Sequence, residues 1–182
     1  MQAKRILLDK FKNPGVLFVC SFAYSFILNY FMKKILFICH GNICRSPMAE
    51  MFFKNLVKKS GLESDFYVDS AATDYDEIGN GMHRGTLRVL QAHNVPYTDH
   101  RARIATIDDY ANFDFLVIMD SENERHLKRI VGSDVQNKIK YLMSFAGKNR
   151  DVADPWYTGN FDETWRDISE GCAALFEKIT QK

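Results

Sequence analysis

The apolar run Ile35-Leu36-Phe37-Ile38 passes without a break into Cys39-His40-Gly41-Asn42-Ile43-Cys44-Arg45-Ser46, and Pro47 follows at once. Four consecutive apolar residues ending in turn formers read as a strand buried on both faces. Ser46 reads as a helix N-cap and Pro47 as the first helical residue, so a helix should start where the loop ends. Such a strand needs cover on both sides, which favours a parallel sheet packed between helices.

The rest of the chain repeats this alternation. Further strands are expected at residues 66–68, 115–119 and 140–143, with 35–38 as the first. The first helix should span residues 47–59, with Met48, Met51, Phe52 and Leu56 on its apolar face. A second covers 84–93, with Leu87, Val89 and Leu90 inward. A third starts at Ser121, paired with Glu124 in a capping box, and stops near Gly132. The last begins at Asn160, with Phe161, Trp165, Ile168, Cys172, Phe176 and Ile179 at helical spacing. The pattern is that of an α/β chain, a parallel sheet covered by helices. Residues 71–82 and 144–159 show no clear period. Loops beyond the strand ends are where such sheets bind ligands.

A loop between a strand's carboxyl end and a helix N-terminus presents unpaired N–H groups and the positive end of the helix dipole to one spot. That spot suits a dianion. Gly41 can take the backbone angles of a curling loop, and Asn42 tolerates positive φ. Arg45 adds a planar fork able to grasp two phosphoryl oxygens. Cys39 at the floor of such a nest has its thiolate favoured by the dipoles and by Arg45, and a thiolate facing a phosphate is a nucleophile. Alone, a cysteine at a strand end would read as a small core residue. Arg six positions on, a following Ser and the strand-loop-helix context argue against that reading.

Composition bounds the alternatives. The 182 residues are 46% hydrophobic and 26% charged, enough for one full core. Twenty-four basic against 23 acidic residues leave nothing global to draw in nucleic acid or acidic lipid. Four cysteines, two of them in one octapeptide, do not form a secreted disulfide framework, so a cytoplasmic, reducing setting is expected. Residues 1–32 stand apart as an N-terminal extension before a domain of residues 33–182. The apolar stretch 16–31 lacks a signal-peptide cleavage site, and it is short for a membrane anchor, with Ser21, Ser25 and Asn29 inside it. The plainer expectation is that Met32 is the usual start. No membrane contact is expected unless residues 1–32 are retained.

Residues 39–47 resemble the phosphate loop of the low-molecular-weight protein tyrosine phosphatases. The resemblance runs from Lys33 to the C-terminus through Val68-Asp-Ser-Ala71, Asp99-His-Arg-Ala-Arg103, Met119-Asp120 with Asn123, and Asp154-Pro-Trp156. It implies an α/β fold, a single doubly wound domain with a four-stranded parallel sheet, helices on both faces and a phosphate loop after the first strand, and it implies hydrolysis of phosphotyrosine in proteins, or of small aryl phosphates, through a cysteinyl-phosphate intermediate, with no metal or other cofactor. By that resemblance Cys39 is the nucleophile, Arg45 the phosphate clamp and Asp154 the general acid. The residues agree on the last point: upstream of Cys39 the only carboxylate is Asp9, inside the N-terminal extension, so the acid is expected downstream. Asp154 sits on an aperiodic loop stiffened by Pro155, with Trp156 and Tyr157 able to wall the cleft and desolvate the carboxyl. Tyr157 could itself accept phosphate, as in some relatives.

The loop residues His40, Gly41, Asn42, Ile43, Cys44 and Ser46 should contact substrate, as should Trp156 and Tyr157. The resemblance adds Tyr75 and Asp76 as residues that help choose substrates; on position alone Asp74, Asp76 and Glu77 belong at the cleft rim. By the same resemblance Ser70, His100 and Asp120 brace the site, and Asn42 and Ser46 hold the loop, with Ser46 offering a hydrogen bond to the thiolate. The imidazoles of His40, His83, His93 and His126 have no assigned chemistry and read as solvated or structural, and Cys172 as core. Three rivals remain. An arsenate reductase or redox sensor could use Cys39 and Cys44, but a reductase needs a further cysteine pair, and only Cys172 follows. A protein-arginine phosphatase typically has Thr where this chain has Ile43. A binding module without turnover has no need of the nucleophile.

Overall fold

The computed structural model describes residues 32–181. The apolar stretch 16–31 and the expectations attached to it lie outside the described residues. Strands β1 (Lys33–Cys39), β2 (Phe66–Ala72), β3 (Phe115–Ile118) and β4 (Ile139–Tyr141) form one sheet in the order β2-β1-β3-β4, every pair parallel. Among the described residues no helix is long and apolar enough to cross a membrane.

β1 lies between β2 and β3, and its side chains alternate between two covered faces. Ile35 and Phe37 join a core with Met48, Phe53, Val89, Ile168 and Cys172. These come from α1 (Arg45–Lys59), α2 (Arg84–Ala92) and α7 (Phe161–Thr180). Leu36 and Ile38 join the opposite core with Tyr110, Leu127 and Val131, carried by α3 (Ile107–Asn112) and α4 (Ser121–Val131). All four β1 residues are fully buried, which explains the unbroken apolar run. The described residues also hold two one-turn helices, α5 (Leu142–Phe145) and α6 (Pro155–Thr158), and a 3-10 turn at Glu63–Asp65.

Several local expectations are corrected. The deepest face of α1 carries Phe53 and Val57, with Phe52 only part-buried, because α1 packs against both β1 and α7. Phe53 meets the rings of Phe37, Phe66 and Phe176. α1 begins at Arg45, so Ser46 lies inside its first turn and does not cap it; the N-cap is Cys44, with no side-chain bond. α4 is capped by Asp120, whose side chain accepts from the Asn123 amide, and not by Ser121. β2 runs on to Ala72, and Leu142 and Met143 belong to α5 and not to β4. α3 was not foreseen, although Thr106 and Asp109 close a full capping box there.

Candidate active site

β1 ends at Cys39 and α1 starts at Arg45, leaving residues 40–44 to curl between them. The turn is made by Asn42, whose φ is +55°. Gly41 keeps to the ordinary side of the map, and its smallness has another use: a Cβ there would sit 3.0 Å from the Glu77 side chain.

Asn42 is fully buried and fully bonded. Its Nδ2 donates to Ser46 Oγ and Ser70 Oγ, each at 2.8 Å, and its Oδ1 accepts from the Arg103 amide at 3.1 Å. Its carbonyl oxygen lies 2.7 Å from His100 Nε2. Those contacts hold a left-handed backbone that costs free energy on its own. Ser46 Oγ stands 3.1 Å from Cys39 Sγ. Since this hydroxyl already accepts from Asn42, its proton can be given to the sulfur, with the Ala71 carbonyl the other acceptor in reach at 3.5 Å.

Arg45 is 3% exposed, and its two terminal nitrogens are both engaged by carboxylates. Nη1 lies 2.5 Å from Asp120 Oδ2 and Nη2 lies 2.5 Å from Asp154 Oδ2. Asp120 is fixed in turn by the Asn123 amide at its other oxygen, and Asn123 Oδ1 takes the Met119 amide. Burial works against the guanidinium charge, yet Cys39, Asp154 and Asp120 outweigh it and raise the Arg45 pKa above its usual value. Arg45 therefore stays cationic. Cys44 contrasts with it: burial first, then the charges of Cys39 and Asp154, push its thiol up to about 12. Cys44 remains a thiol at neutral pH.

Asp154 caps α6, accepting from the Trp156 amide at 2.9 Å. The segment before it is anchored to α7. Ala153 donates its amide to Asp167 Oδ2 at 3.1 Å, and its carbonyl accepts from Thr164 Oγ1 at 2.8 Å. Asp167 also holds Arg150 through two hydrogen bonds of 2.5 and 2.8 Å. The Asp154 loop is thus held on both backbone groups of the preceding residue.

A cleft of about 450 Å³ opens over these groups. Its walls include Cys39, His40, Gly41, Ile43, Cys44, Arg45, Asp76, Asp120, Asp154, Trp156 and Tyr157 from the expected set. Asn42 and Ser46, expected to contact substrate, are buried and do not line it; with Ser70 and His100 they brace the loop through the contacts given above. Tyr75 is 74% exposed and is not a wall of the cleft, although its neighbour Asp76 is. Trp156 and Tyr157 are 60% and 83% exposed, so they stand at the edge of the cleft and do not bury the Asp154 carboxyl. Tyr157 and Tyr75 both present their rings to solvent. Cys172 is fully buried and packs in the core, as expected.

The sequence did not single out Glu50, Thr86 or Asp167, and it gave Arg103 no role beyond its place in the stretch 99–103. Glu50 is 4% exposed and accepts from Ser70 Oγ at 2.6 Å, while Lys54 pairs with its other oxygen. Thr86 Oγ1 donates to the carbonyls of Ile43 and Cys44 at 3.4 and 3.3 Å, tying α2 to the loop. The guanidinium of Arg103 bridges Asp69 and Asp109.

Residues 34–182 match the family model described as low molecular weight phosphotyrosine protein phosphatase. A Bacillus subtilis relative, low molecular weight protein-tyrosine-phosphatase YfkJ, is 39% identical over 153 residues, covering 83% of this chain and 98% of the relative. The crystal structure of YfkJ superimposes with a TM-score of 0.79 over 82% of this chain and 96% of that one. The human low molecular weight phosphotyrosine protein phosphatase is 36% identical over 151 residues, 80% of this chain and 95% of the relative. The structure of a Drosophila arginine phosphatase is 30% identical, with a TM-score of 0.75 over 82% of this chain and 99% of that one.

Proposed function

Because the chain belongs to the low-molecular-weight phosphotyrosine protein phosphatase family, we propose that its protein-tyrosine-phosphatase activity runs through Cys39, Arg45 and Asp154 in the cleft described above. The observation that carries this assignment is the position of Arg45: its buried fork lies beside the nucleophile and reaches the carboxyl of the acid loop at 2.5 Å.

A phosphate dianion entering the loop competes with Asp154 for Arg45 Nη2. Two phosphoryl oxygens then take the guanidinium fork, and the backbone N–H groups at the start of α1 face the same charge. Asp154, released from the ion pair, takes up a proton from solvent and turns to the ester oxygen. The Cys39 thiolate attacks phosphorus on the side opposite the leaving group. The S–P bond forms as the P–O bond breaks, and Asp154 passes its proton to the departing tyrosyl oxygen. The Asp154 carboxylate next takes a proton from water, whose oxygen displaces Cys39 from phosphorus and frees phosphate and thiolate. Asp120 keeps Arg45 oriented throughout by its bond to Nη1.

Ile43 gives the cleft an apolar wall suited to an aryl ring, which supports phosphotyrosine over phosphoarginine. The three cysteines among the described residues are free, and the reaction needs Cys39 reduced, which supports a cytoplasmic setting. Every residue invoked lies within 33–182, so that segment is assigned as the catalytic domain and phosphoproteins or small phosphate esters as its substrates. The test is a comparison of kcat/KM for a phosphotyrosyl and a phosphoarginyl peptide of the same sequence, without metal. Preference for phosphotyrosine is expected; preference for phosphoarginine would overturn the substrate assignment.

A further inference from the structure

Two imidazoles and a carboxylate converge at the rim of the cleft. The ligating atoms of His40, Asp74 and His126 all lie within 4.8 Å of one another, and no other group of three such residues does so among the described residues. They come from three separate segments: the loop after β1, the loop after β2, and the second turn of α4 after β3. These strands are neighbours in the sheet, so their carboxyl ends deliver the three side chains to one place. The frame beneath them is tied, since the His40 carbonyl accepts the amides of Thr73 at 3.0 Å and Asp74 at 3.1 Å. α4 is tied to the phosphate loop through its cap Asp120, which holds Arg45.

We propose that His40, Asp74 and His126 form a binding site for a divalent transition cation, with zinc the best match. Two neutral imidazoles and one carboxylate are a borderline-soft donor set that suits Zn²⁺, whereas Mg²⁺ and Ca²⁺ take all-oxygen shells. Three protein ligands leave a fourth position for water, and Asp76 stands next in line, its Oδ2 3.8 Å from His40 Nε2. Zinc bonds of about 2.0–2.1 Å place tetrahedral ligands roughly 3.3 Å apart, so the side chains must close by up to about 1.5 Å. The exposed His40 ring is free to make that movement. Asp74 Oδ1 already accepts the Asp76 amide at 3.3 Å, which orients its carboxylate.

A cation held here joins the phosphate loop to the two neighbouring segments. A ligand that binds only the folded chain raises its apparent stability. The experiment uses the full chain carrying Cys39→Ser, which removes the thiolate as a competing zinc ligand and makes the result independent of turnover. Zn²⁺ titrated by calorimetry should bind one equivalent and raise Tm, and Co²⁺ should give visible bands without sulfur-to-metal charge transfer. Adding His126→Gln should weaken binding at least tenfold and abolish the Tm shift, and Asp74→Asn should weaken it in the same direction. In the chain with an intact Cys39, His126→Gln should leave metal-free turnover unchanged, since His126 lies outside the catalytic cleft. Undiminished Zn²⁺ affinity in both His126→Gln and Asp74→Asn, or no binding to the Cys39→Ser chain, would overturn the site.

Discussion

Arg45 and Asp154 are joined by a 2.5 Å contact between Nη2 and Oδ2, so the phosphate clamp and the proposed acid hold each other. The pair must part before the carboxyl can reach a leaving oxygen. A phosphate dianion is the species that can part it, since it takes the same guanidinium nitrogen. The acid is thereby released where and when substrate is bound.

Asp154→Asn should cut turnover in proportion to the leaving group's need for a proton. For tyrosyl phosphate the loss should be about 10²-fold or more. Esters of strongly acidic phenols should lose far less, because their oxygen departs as the anion. A linear free-energy plot of kcat against phenol pKa checks this; equal losses across the series would make Asp154 a shaper of the loop, with Asp76 the next carboxyl to test.

Arg45→Lys keeps the charge but loses the fork. Lysine cannot hold Asp120 and two phosphoryl oxygens in one plane, so kcat/KM should fall by ~10²-fold or more. Steady-state kinetics with an aryl phosphate read this directly, and near wild-type activity would remove Arg45 from the clamp.

Cys44 shares the loop with Cys39 and stays protonated, its pKa pushed up to about 12. Peroxide should therefore oxidise Cys39 first, and Cys44 should then close a disulfide onto it, reversible by dithiothreitol. In Cys44→Ser the inactivation should become harder to reverse. Peptide mapping that pairs Cys39 with Cys172 instead would contradict the loop geometry.

Asp167 anchors the acid's loop through Arg150 and the Ala153 amide. Burial opposes its ionisation, but Arg150, Ala153 and Lys148 outweigh burial and hold its carboxyl below the usual carboxylate range. A depressed native pKa adds stability that is present above the unfolded value near ~3.9 and is lost as pH falls through the folded one. Urea midpoints should thus drop between pH 6 and pH 3 more steeply in the wild type than in Asp167→Asn. The variant should also lose turnover at neutral pH by loosening the segment before Asp154. Parallel acid profiles would show that Asp167 carries no such linkage.

The sequence revealed what is local. The four apolar residues of β1 show a strand covered on both faces, and the eight residues after it show their chemistry because strand end, loop and helix start are contiguous. Long-range partnerships were not legible. Glu50 meets Ser70, Thr86 meets the loop carbonyls, and Asp167 meets Ala153 only once the helices have docked. The same cause moved the α1 core face from Phe52 to Phe53, since two neighbours compete for one helix. Caps were misread where two candidates adjoin: Asp120 and Ser121 both suit the position, and the carboxylate that also meets Arg45 takes it.

The most direct test is to look for phosphate on Cys39. An aryl phosphate is mixed with the enzyme, quenched within a turnover, and its peptides are mapped by mass spectrometry. Phosphate should be found on the peptide carrying Cys39, and the Cys39→Ser chain should show neither phosphopeptide nor turnover while still binding vanadate. Undiminished turnover in Cys39→Ser, or phosphate on another residue, would contradict the thiolate mechanism.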